Sequence, residues 1–208
     1  MLNLLVLPIF AYLLGSIPWG LVLTRLFTSV DIRELGSKNI GATNVKRVAG
    51  STLGILTLAG DILKGAFPVW LGLTIFSPNT LSGQIYVSLV ALAAFLGHLF
   101  PIYTKFRNGG KGVATAGGCF AIISPGAFAV AILVFIMFVC WFDRVSAASL
   151  AASATLPIAV WKTSGSGVMT GCAVIITLFI FFRHTDNIKR LMAGTEPKLT
   201  ANKMEKFQ

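Results

Sequence analysis

The sequence predicts an all-α integral membrane protein with about seven transmembrane helices, and three observations lead to this fold class. The composition is 55% hydrophobic and only 12% charged, with a mean hydropathy of +0.82. Long apolar stretches recur along the whole chain, and the basic residues lie almost entirely in the connections between them. Because lipid satisfies no backbone polar group whereas a helix satisfies its own, such a chain is expected to form spanning helices.

Seven apolar segments are candidates for crossing the membrane. A span needs about 20 residues, with a lower limit of about 17. The fourth segment is shorter than this, and Ser124, Pro125 and Gly126 follow it as a break. It is therefore either a tilted short span or a re-entrant half-helix. The segments are 2–24, 48–76, 81–103, 112–124, 126–142, 145–161 and 168–182.

The distribution of basic residues favours seven crossings. If every segment crosses, fifteen of the seventeen Lys and Arg residues lie on one side. The other two are Lys64, inside the second span, and Lys162, on the opposite side. The positive-inside rule makes the rich side cytoplasmic, with the N-terminus periplasmic and the C-terminus cytoplasmic. A re-entrant fourth segment would move seven basic residues to the wrong face. The basic loops are 25–47, 104–111, 143–144 and 183–208.

The chain is predicted to form one transmembrane domain over 1–208, with 195–208 as a mobile cytoplasmic tail. The first segment lacks the basic start and the small-residue cleavage pattern of a signal peptide, so we expect a helix there. Cys119, Cys140 and Cys172 lie in apolar segments without paired spacing. They are interpreted as small hydrophobic residues, neither a disulfide set nor metal ligands.

The first basic loop combines small donors, glycines and positive charge. Glycines let backbone N–H groups approach an anion closely, and hydroxyl and amide side chains add further donors, so the loop predicts a phosphate site. The alternative is a polar loop that touches anionic lipid headgroups. The relevant residues are Gly36, Ser37, Lys38, Asn39, Gly41, Thr43, Asn44, Lys46 and Arg47.

The second basic loop places Gly109, Gly110, Lys111 and Gly112 directly before an apolar helix. Free N–H groups and the helix dipole favour an anion at such a position, and the lysine adds a full charge. A nucleotide-binding P-loop would need Ser or Thr after the lysine, so the pattern indicates only an oxyanion or phosphate site. The alternative is a flexible turn. His98, at the end of the preceding span, is more typical of a hydrogen-bonded helix-end histidine than of a catalyst.

The last two basic loops carry further candidates. Ser146 and Ser149 share one face of a helix start, where capping alone would also explain either serine. His184, Asn187 and Arg190 recur every three residues, so a helix would place them on one drifting face. Histidine suits proton transfer near neutral pH and asparagine can orient a hydroxyl. The alternative is a solvated helix end.

Asp61 and Lys64 are three residues apart inside the second span. On a helix they can pair on one face, which lowers the cost of placing charge in lipid. Intramembrane ions suggest function, but a structural clamp near the floor of a site is an equal alternative.

Taken together, the sequence blocks resemble the bacterial acyl-phosphate-dependent glycerol-3-phosphate acyltransferase family, the PlsY family. The resemblance covers nearly the whole chain. The chain departs from the family pattern at Lys38, where glycine is expected, and at Asn108, an additional residue. The matching blocks are Gly15-Ser-Ile-Pro-Trp-Gly20, Asp31-Ile-Arg33, Gly36-Ser-Lys-Asn-Ile-Gly-Ala-Thr-Asn44 with Arg47, Gly97-His-Leu-Phe-Pro101, Gly109-Gly-Lys-Gly-Val-Ala-Thr115, Arg144-Val-Ser146 and Arg183-His184 through Asn187-Ile-Lys-Arg-Leu191.

The resemblance implies a monomeric seven-helix enzyme of the bacterial inner membrane, active at its cytoplasmic face, with membrane lipid around it. It implies transfer of an acyl chain from acyl phosphate to the 1-hydroxyl of glycerol 3-phosphate, giving lysophosphatidic acid and inorganic phosphate in phospholipid biosynthesis. Acyl phosphate is already activated, so neither a cofactor nor a metal is expected. The sequence has no Gly-x-Ser-x-Gly nucleophile elbow, and direct attack without an acyl-enzyme is the hypothesis.

In this scheme one group of residues holds the acyl-phosphate head and stabilises the departing phosphate: Ser37, Asn39, Thr43, Lys111 and the backbone of Gly109, Gly110 and Gly112. A second group binds glycerol 3-phosphate and aims its hydroxyl: Arg47, Ser149, His184 and Asn187. Ser146 is a further expected substrate-binding residue. His184, Asn187, Lys111 and Ser37 are the expected catalytic residues. The proton acceptor is either His184 or a substrate phosphate oxygen.

Two other classes of function compete with the enzyme. Intramembrane Asp61 and Lys64, with a short broken helix, are also features of transporters for phosphorylated metabolites. A carrier should place its anion-binding groups near the membrane midplane, however, whereas the donors here crowd one face. A scaffold for nucleic acid or anionic lipid is suggested by the pI of about 10. The basic residues are divided among four separated loops, so no nucleic-acid partner is expected.

Overall fold

The computed structural model describes residues 2–200, which form ten α-helices and one short 3-10 helix without any β-strand. The predicted all-helical fold class is therefore confirmed. The helices are α1 (Leu2–Gly15), α2 (Trp19–Phe27), α3 (Ala42–Ala49), α4 (Ser51–Ile75), α5 (Leu81–Leu99), α6 (Val113–Ile123), α7 (Pro125–Phe142), α8 (Val145–Ser164), α9 (Gly167–Arg183) and α10 (Thr185–Met192), with the 3-10 helix at Ile102–Thr104.

Four helices are long and apolar enough to cross a membrane by themselves, namely α4, α5, α7 and α8. Two bent pairs raise this number to six: α1 with α2, bent by 43°, and α9 with α10, bent by 61°. The short apolar helix α6 is the remaining segment of the seven that the sequence predicts. The side of the membrane that each end faces stays a prediction.

Helix α6 has eleven residues, fewer than an ordinary crossing needs. Its last residue is followed by Ser124, whose Oγ lies 2.8 Å from Oγ1 of Thr163 in the final turn of α8. At its start the preceding loop doubles back along α5, where Gly110 N–H donates to the carbonyl of His98 at 3.2 Å. The crossing of the membrane by α6 stays a prediction.

Close contact between backbones joins α4 to α6. A Cβ on Gly65 would lie 2.2 Å from the carbonyl oxygen of Thr115, and a Cβ on Gly118 would lie 2.1 Å from that of Ile62. Lipid provides no hydrophobic force between helices, so small residues that allow such close packing are a common means of association. The two glycines therefore fix α6 against α4.

Three local expectations were wrong. The first basic loop contains helix α3, and the following span starts at Ser51 because Gly50, with φ of +98°, interrupts the chain. Residues 195–200 do not project as a mobile tail: Glu196 is buried, and Leu199 N–H donates to the carbonyl of Asp143 at 2.8 Å. Residues 201–208, the rest of the predicted tail, lie outside the described residues.

Lys38 and Asn108, the two departures from the family pattern, share a backbone conformation. Their φ angles are 58° and 56°. This is the left-handed region that favours glycine, which explains why glycine is expected at position 38.

We expect Gly118→Ala to destabilise the bundle, because the added methyl group would collide with the carbonyl of Ile62. Overpacking of this kind costs about 1–3 kcal/mol. Gly171→Ala in α9 is the matched control, since nothing lies within 4 Å of its added Cβ. Thermal unfolding in detergent should show a lower midpoint for the first variant and an equal or higher midpoint for the second. Equal midpoints for Gly118→Ala and the unmodified protein would contradict the close α4–α6 contact.

Candidate functional site

A cavity of about 690 Å³ opens among the four basic loops and continues between the helices. One part, called the polar mouth below, is lined by Ser37, Asn39, Thr43, Lys46, Arg47, Lys111, Ser146, Ser149, His184, Asn187, Arg190 and Glu196. The other, called the apolar chamber, is lined by Ile55, Leu58 and Ile62 of α4, Ala116, Gly117 and Phe120 of α6, Phe128, Ala131, Ile132 and Phe135 of α7, and Ala152 and Leu156 of α8.

The cavity gathers the predicted site residues, with two exceptions. Ser37, Asn39, Thr43, Arg47, Lys111, Gly112, Ser146, Ser149, His184 and Asn187 all line it. Gly109 and Gly110 do not. The four loops, separated in sequence by spanning helices, therefore meet at one end of the bundle.

Asn44 organises the first loop from the start of α3. Its side chain is 1% exposed. The Nδ2 group donates to the carbonyls of Ile32, Leu35 and Asn39 at 3.2, 3.1 and 2.9 Å. Its Oδ1 accepts from the N–H of Ser37 at 2.8 Å. One buried amide thus holds the loop in the shape that brings Ser37 and Asn39 to the polar mouth.

A chain of polar contacts joins the second loop to α10 and to residue 196. Lys111 Nζ donates to Oδ1 of Asn187, and Asn187 Nδ2 donates to Oε1 of Glu196 at 2.6 Å. The other carboxylate oxygen of Glu196 accepts from Arg190 Nε at 2.7 Å. The carbonyl of Glu196 also accepts from Arg144 Nε at 3.1 Å. Side chains from three loops are therefore fixed relative to one another.

Glu196 was not among the predicted site residues, because it lies in the predicted tail. Its side chain is 7% exposed and lines the polar mouth. Burial raises its pKa, but hydrogen bonds, led by that from Asn187, outweigh burial and leave the pKa below its ordinary value. The available signal was a lone acidic residue within a basic segment, next to Pro197.

Burial lowers the pKa of Lys111 to about 8, although the nearby carboxylate of Glu196 acts in the opposite direction. A lysine with this pKa is mostly protonated at pH 7 and changes charge within the range of ordinary assays. The fraction of Lys111 that carries a positive charge in the site therefore depends on pH.

His184 lies at the bend between α9 and α10 and is 3% exposed. Its Nδ1 is 2.8 Å from the carbonyl oxygen of Ile180, and since a carbonyl can only accept, Nδ1 carries the hydrogen. Burial, followed by the charge of Lys111, lowers the pKa of His184 to about 4. The ring is consequently neutral at pH 7, with Nε2 as a hydrogen-bond acceptor.

The two serines of α8 differ in their contacts. Ser149 Oγ donates to the carbonyl of Val145 at 2.8 Å, the local bond that a helical serine often makes. Ser146 Oγ is buried and lies beside Glu196, where it helps to lower the pKa of that carboxyl, but within residues 2–200 no partner meets hydrogen-bond geometry. A buried hydroxyl without a partner is costly, so Ser146 offers a donor to a molecule bound in the mouth.

The glycines of the second loop pack closely on α5. The N–H of Gly110 donates to the carbonyl of His98, and the carbonyls of Gly109 and Gly110 accept from Arg183. A Cβ on Gly109 would lie 1.8 Å from the carbonyl oxygen of Leu99. Close approach to α5 therefore requires these glycines, and their binding of substrate stays a prediction.

Comparisons with known proteins agree with this architecture. The sequence profile of the glycerol-3-phosphate acyltransferase family matches residues 5–194. The chain is 49% identical over 191 residues to a glycerol-3-phosphate acyltransferase of Syntrophotalea carbinolica, covering 92% of this chain and 95% of the relative. It is 43% identical over 201 residues to the Geobacter sulfurreducens enzyme of that name, covering 97% and 100%.

Two solved structures are similar over almost the whole chain. The glycerol 3-phosphate form of PlsY (YgiH), an integral membrane glycerol 3-phosphate acyltransferase, superposes with a TM-score of 0.90 at 36% identity, covering 99% of this chain and 100% of that one. Its lysophosphatidic acid form gives a TM-score of 0.86 at 36% identity, covering 94% and 95%. The chain therefore belongs to the PlsY family of integral membrane glycerol-3-phosphate acyltransferases.

Proposed function

We propose that this protein transfers an acyl group from acyl phosphate directly to the 1-hydroxyl of glycerol 3-phosphate. The products are lysophosphatidic acid and inorganic phosphate, and the reaction serves phospholipid synthesis at the cytoplasmic face of a bacterial inner membrane. The observation that carries the proposal is the cavity itself, in which a cationic mouth continues into an apolar chamber. A small anion and a lipid tail can occupy its two parts together.

The mouth suits glycerol 3-phosphate, a small dianion with two hydroxyl groups. Arg47, Lys111 and Arg190 supply positive charge, and Ser146 has a buried hydroxyl to donate. Asn187 lies between Lys111 and Glu196, where its amide can orient a bound hydroxyl. Arginine is well suited to a phosphate because its planar group donates two parallel hydrogen bonds.

The chamber suits an acyl chain. Along α8 the whole cavity, mouth and chamber together, extends from Ser146 to Leu156, which at about 1.5 Å per residue is roughly 15 Å. That length is about half of the hydrocarbon core of a bilayer. The tail of a lipid substrate can therefore stay at membrane depth while its head reaches the basic loops.

An acyl phosphate donor places a second anionic head beside the first substrate. Ser37, Asn39, Thr43, Lys111 and Gly112 are the candidates that hold this head and stabilise the departing phosphate. Such a donor is a mixed anhydride with a good leaving group, so positioning and electrostatic stabilisation supply the main catalytic terms. The scheme needs no enzyme nucleophile, and none of Cys119, Cys140 and Cys172 lines the cavity.

The proton of the attacking hydroxyl goes to a substrate phosphate oxygen in our proposal. The pKa of His184, about 4, makes it a weak base at neutral pH. Its Nε2 can still accept a hydrogen bond from the hydroxyl and aim the oxygen at the carbonyl carbon. His184 therefore orients the nucleophile, together with Asn187.

Purified protein should transfer a radiolabelled acyl chain to glycerol 3-phosphate when acyl phosphate is the donor, without added metal. The same assay with acyl-CoA and with acyl carrier protein should give no product above background, because the mouth is built for a phosphate leaving group. Transfer from either thioester alone would contradict the donor assignment. Label retained on denatured protein would contradict direct transfer.

The affinity for glycerol 3-phosphate should fall as the pH rises through about 8, because Lys111 then loses the charge that attracts the dianion. Isothermal titration calorimetry between pH 7 and pH 10 measures this directly. Lys111→Arg is the matched control, since an arginine stays protonated throughout that range. The decline should be absent in the control. An identical decline in both proteins would show that another group is responsible.

A further inference from the structure

A buried charged cluster borders the cavity, which Asp61 and His98 help to line. Asp61 and Lys64 of α4 and His98 of α5 are 3%, 2% and 4% exposed. Lys64 Nζ is 2.8 Å from Oδ1 of Asp61 and also donates to the carbonyl of Ile17 at 2.8 Å. The same Asp61 oxygen is 3.5 Å from Nδ1 of His98. Charges at this depth are expensive, and the cluster joins α4 and α5 to the end of α1.

His98 connects this cluster to the loop that carries Lys111. The Nδ1 edge of its ring lies 3.5 Å from Asp61, an ion-pair distance without hydrogen-bond geometry. Its backbone carbonyl accepts from the N–H of Gly110 at 3.2 Å. The opposite edge of the ring is packed on the same glycine, since a Cβ on Gly110 would lie 1.9 Å from Nε2 of His98. The ring therefore leaves no room for a side chain at position 110.

Arg183, the last residue of α9, holds the loop from the other side. Its Nε donates to the carbonyl of Gly110 at 3.1 Å, and its Nη2 donates to that of Gly109 at 2.5 Å. The two glycines are thus fixed between α5 and α9. Lys111 is the next residue, so the path of its backbone is set before its side chain reaches Asn187.

We propose that Asp61, His98 and Arg183 are positioning residues that fix Lys111 at the polar mouth. The inference rests on the proposed function only in assigning Lys111 to a substrate phosphate. These three residues are called the brace below. A polar brace is suited to this place because the Gly109–Gly110 backbone is buried, and buried N–H and C=O groups need partners. Small displacements of a binding group reduce turnover strongly, so the brace acts on catalysis through Lys111.

The brace differs from a clamp that only stabilises the fold. A clamp predicts a lower unfolding midpoint with an unchanged environment for Lys111. The brace predicts that Lys111 itself changes when its supports are altered, even in a variant that remains folded. A direct measurement on the Lys111 amine separates the two.

The experiment measures how fast an amine-reactive reagent modifies Lys111 in the folded protein as a function of pH. After digestion, mass spectrometry of the peptides quantifies the modification at Lys111. His98→Ala removes the ring, and Arg183→Lys keeps the charge but loses the paired contact with the two carbonyls. Ser88→Ala is the matched control, because Ser88 is a buried polar residue of the same helix α5 and its Oγ has no partner within residues 2–200.

In the unmodified protein and in Ser88→Ala, the profile should give an apparent pKa of about 8 for Lys111. In His98→Ala and Arg183→Lys the apparent pKa of Lys111 should rise by at least about one pH unit, towards the ordinary value for lysine, because the released side chain reaches water. Arg183→Lys leaves the other charges near Lys111 unchanged, namely those of Glu196, Arg190 and Asp186, so its shift reports position.

Steady-state kinetics supply the second readout. Both variants should lose about tenfold in kcat/KM for glycerol 3-phosphate, most of it in KM, as expected for a displaced binding group. If His98→Ala fails to fold, Arg183→Lys decides by itself. A Lys111 profile that stays at the unmodified value in a folded Arg183→Lys variant would overturn the proposal, whatever the activity does.

The amine measurement needs no substrate, so it fails or succeeds independently of the proposed reaction. A shifted profile in a protein that rejects acyl phosphate would keep the brace and refute the donor. An unshifted profile in a protein that uses acyl phosphate would refute the brace alone.

Discussion

The close packing of α6 on α4 is the constraint on which the rest of the structure depends. Gly65 and Gly118 bring the two backbones together, and this fixes where the eleven-residue helix starts and ends. Its start carries Lys111 and Gly112 to the mouth, and its open side faces the chamber. Bulkier residues at the glycines would push α6 towards α7 and α8 and fill the space that an acyl chain needs.

The cavity unites two environments that ordinarily exclude each other. Lys and Arg side chains attract phosphate groups best where water is scarce, yet their own burial is costly. The structure meets both demands by placing the cations at the level of the loops and tying them to Glu196, Asn187 and neighbouring carbonyls. The apolar chamber needs no such hydrogen bonds or ion pairs, because α4, α6, α7 and α8 present aliphatic and aromatic side chains to it. This arrangement at one end of the bundle does not favour a carrier, whose anion site should lie near the midplane.

Much of this could be predicted from the sequence, because membrane segments and basic loops obey simple rules. The alternation of apolar and basic segments predicted the helices, and the spacing of Asp61 and Lys64 predicted an ion pair that the structure confirms. The errors concern tertiary contacts. Nothing local indicates that Glu196 returns to Asn187, or that Gly109 and Gly110 pack closely on α5. Those features depend on residues that are distant in sequence, so composition and periodicity do not report them.

One cavity should hold the acyl tail and both phosphate groups at the same time, and photocrosslinking can show whether it does. A non-hydrolysable acyl phosphonate with a diazirine at the end of its chain would be irradiated with the purified protein, with and without glycerol 3-phosphate. We expect the probe to label chamber residues such as Ile62, Phe120, Phe128 and Leu156. This labelling should persist when glycerol 3-phosphate is bound. Label confined to outward-facing residues such as Leu133 and Leu178, or removed completely by glycerol 3-phosphate, would contradict it.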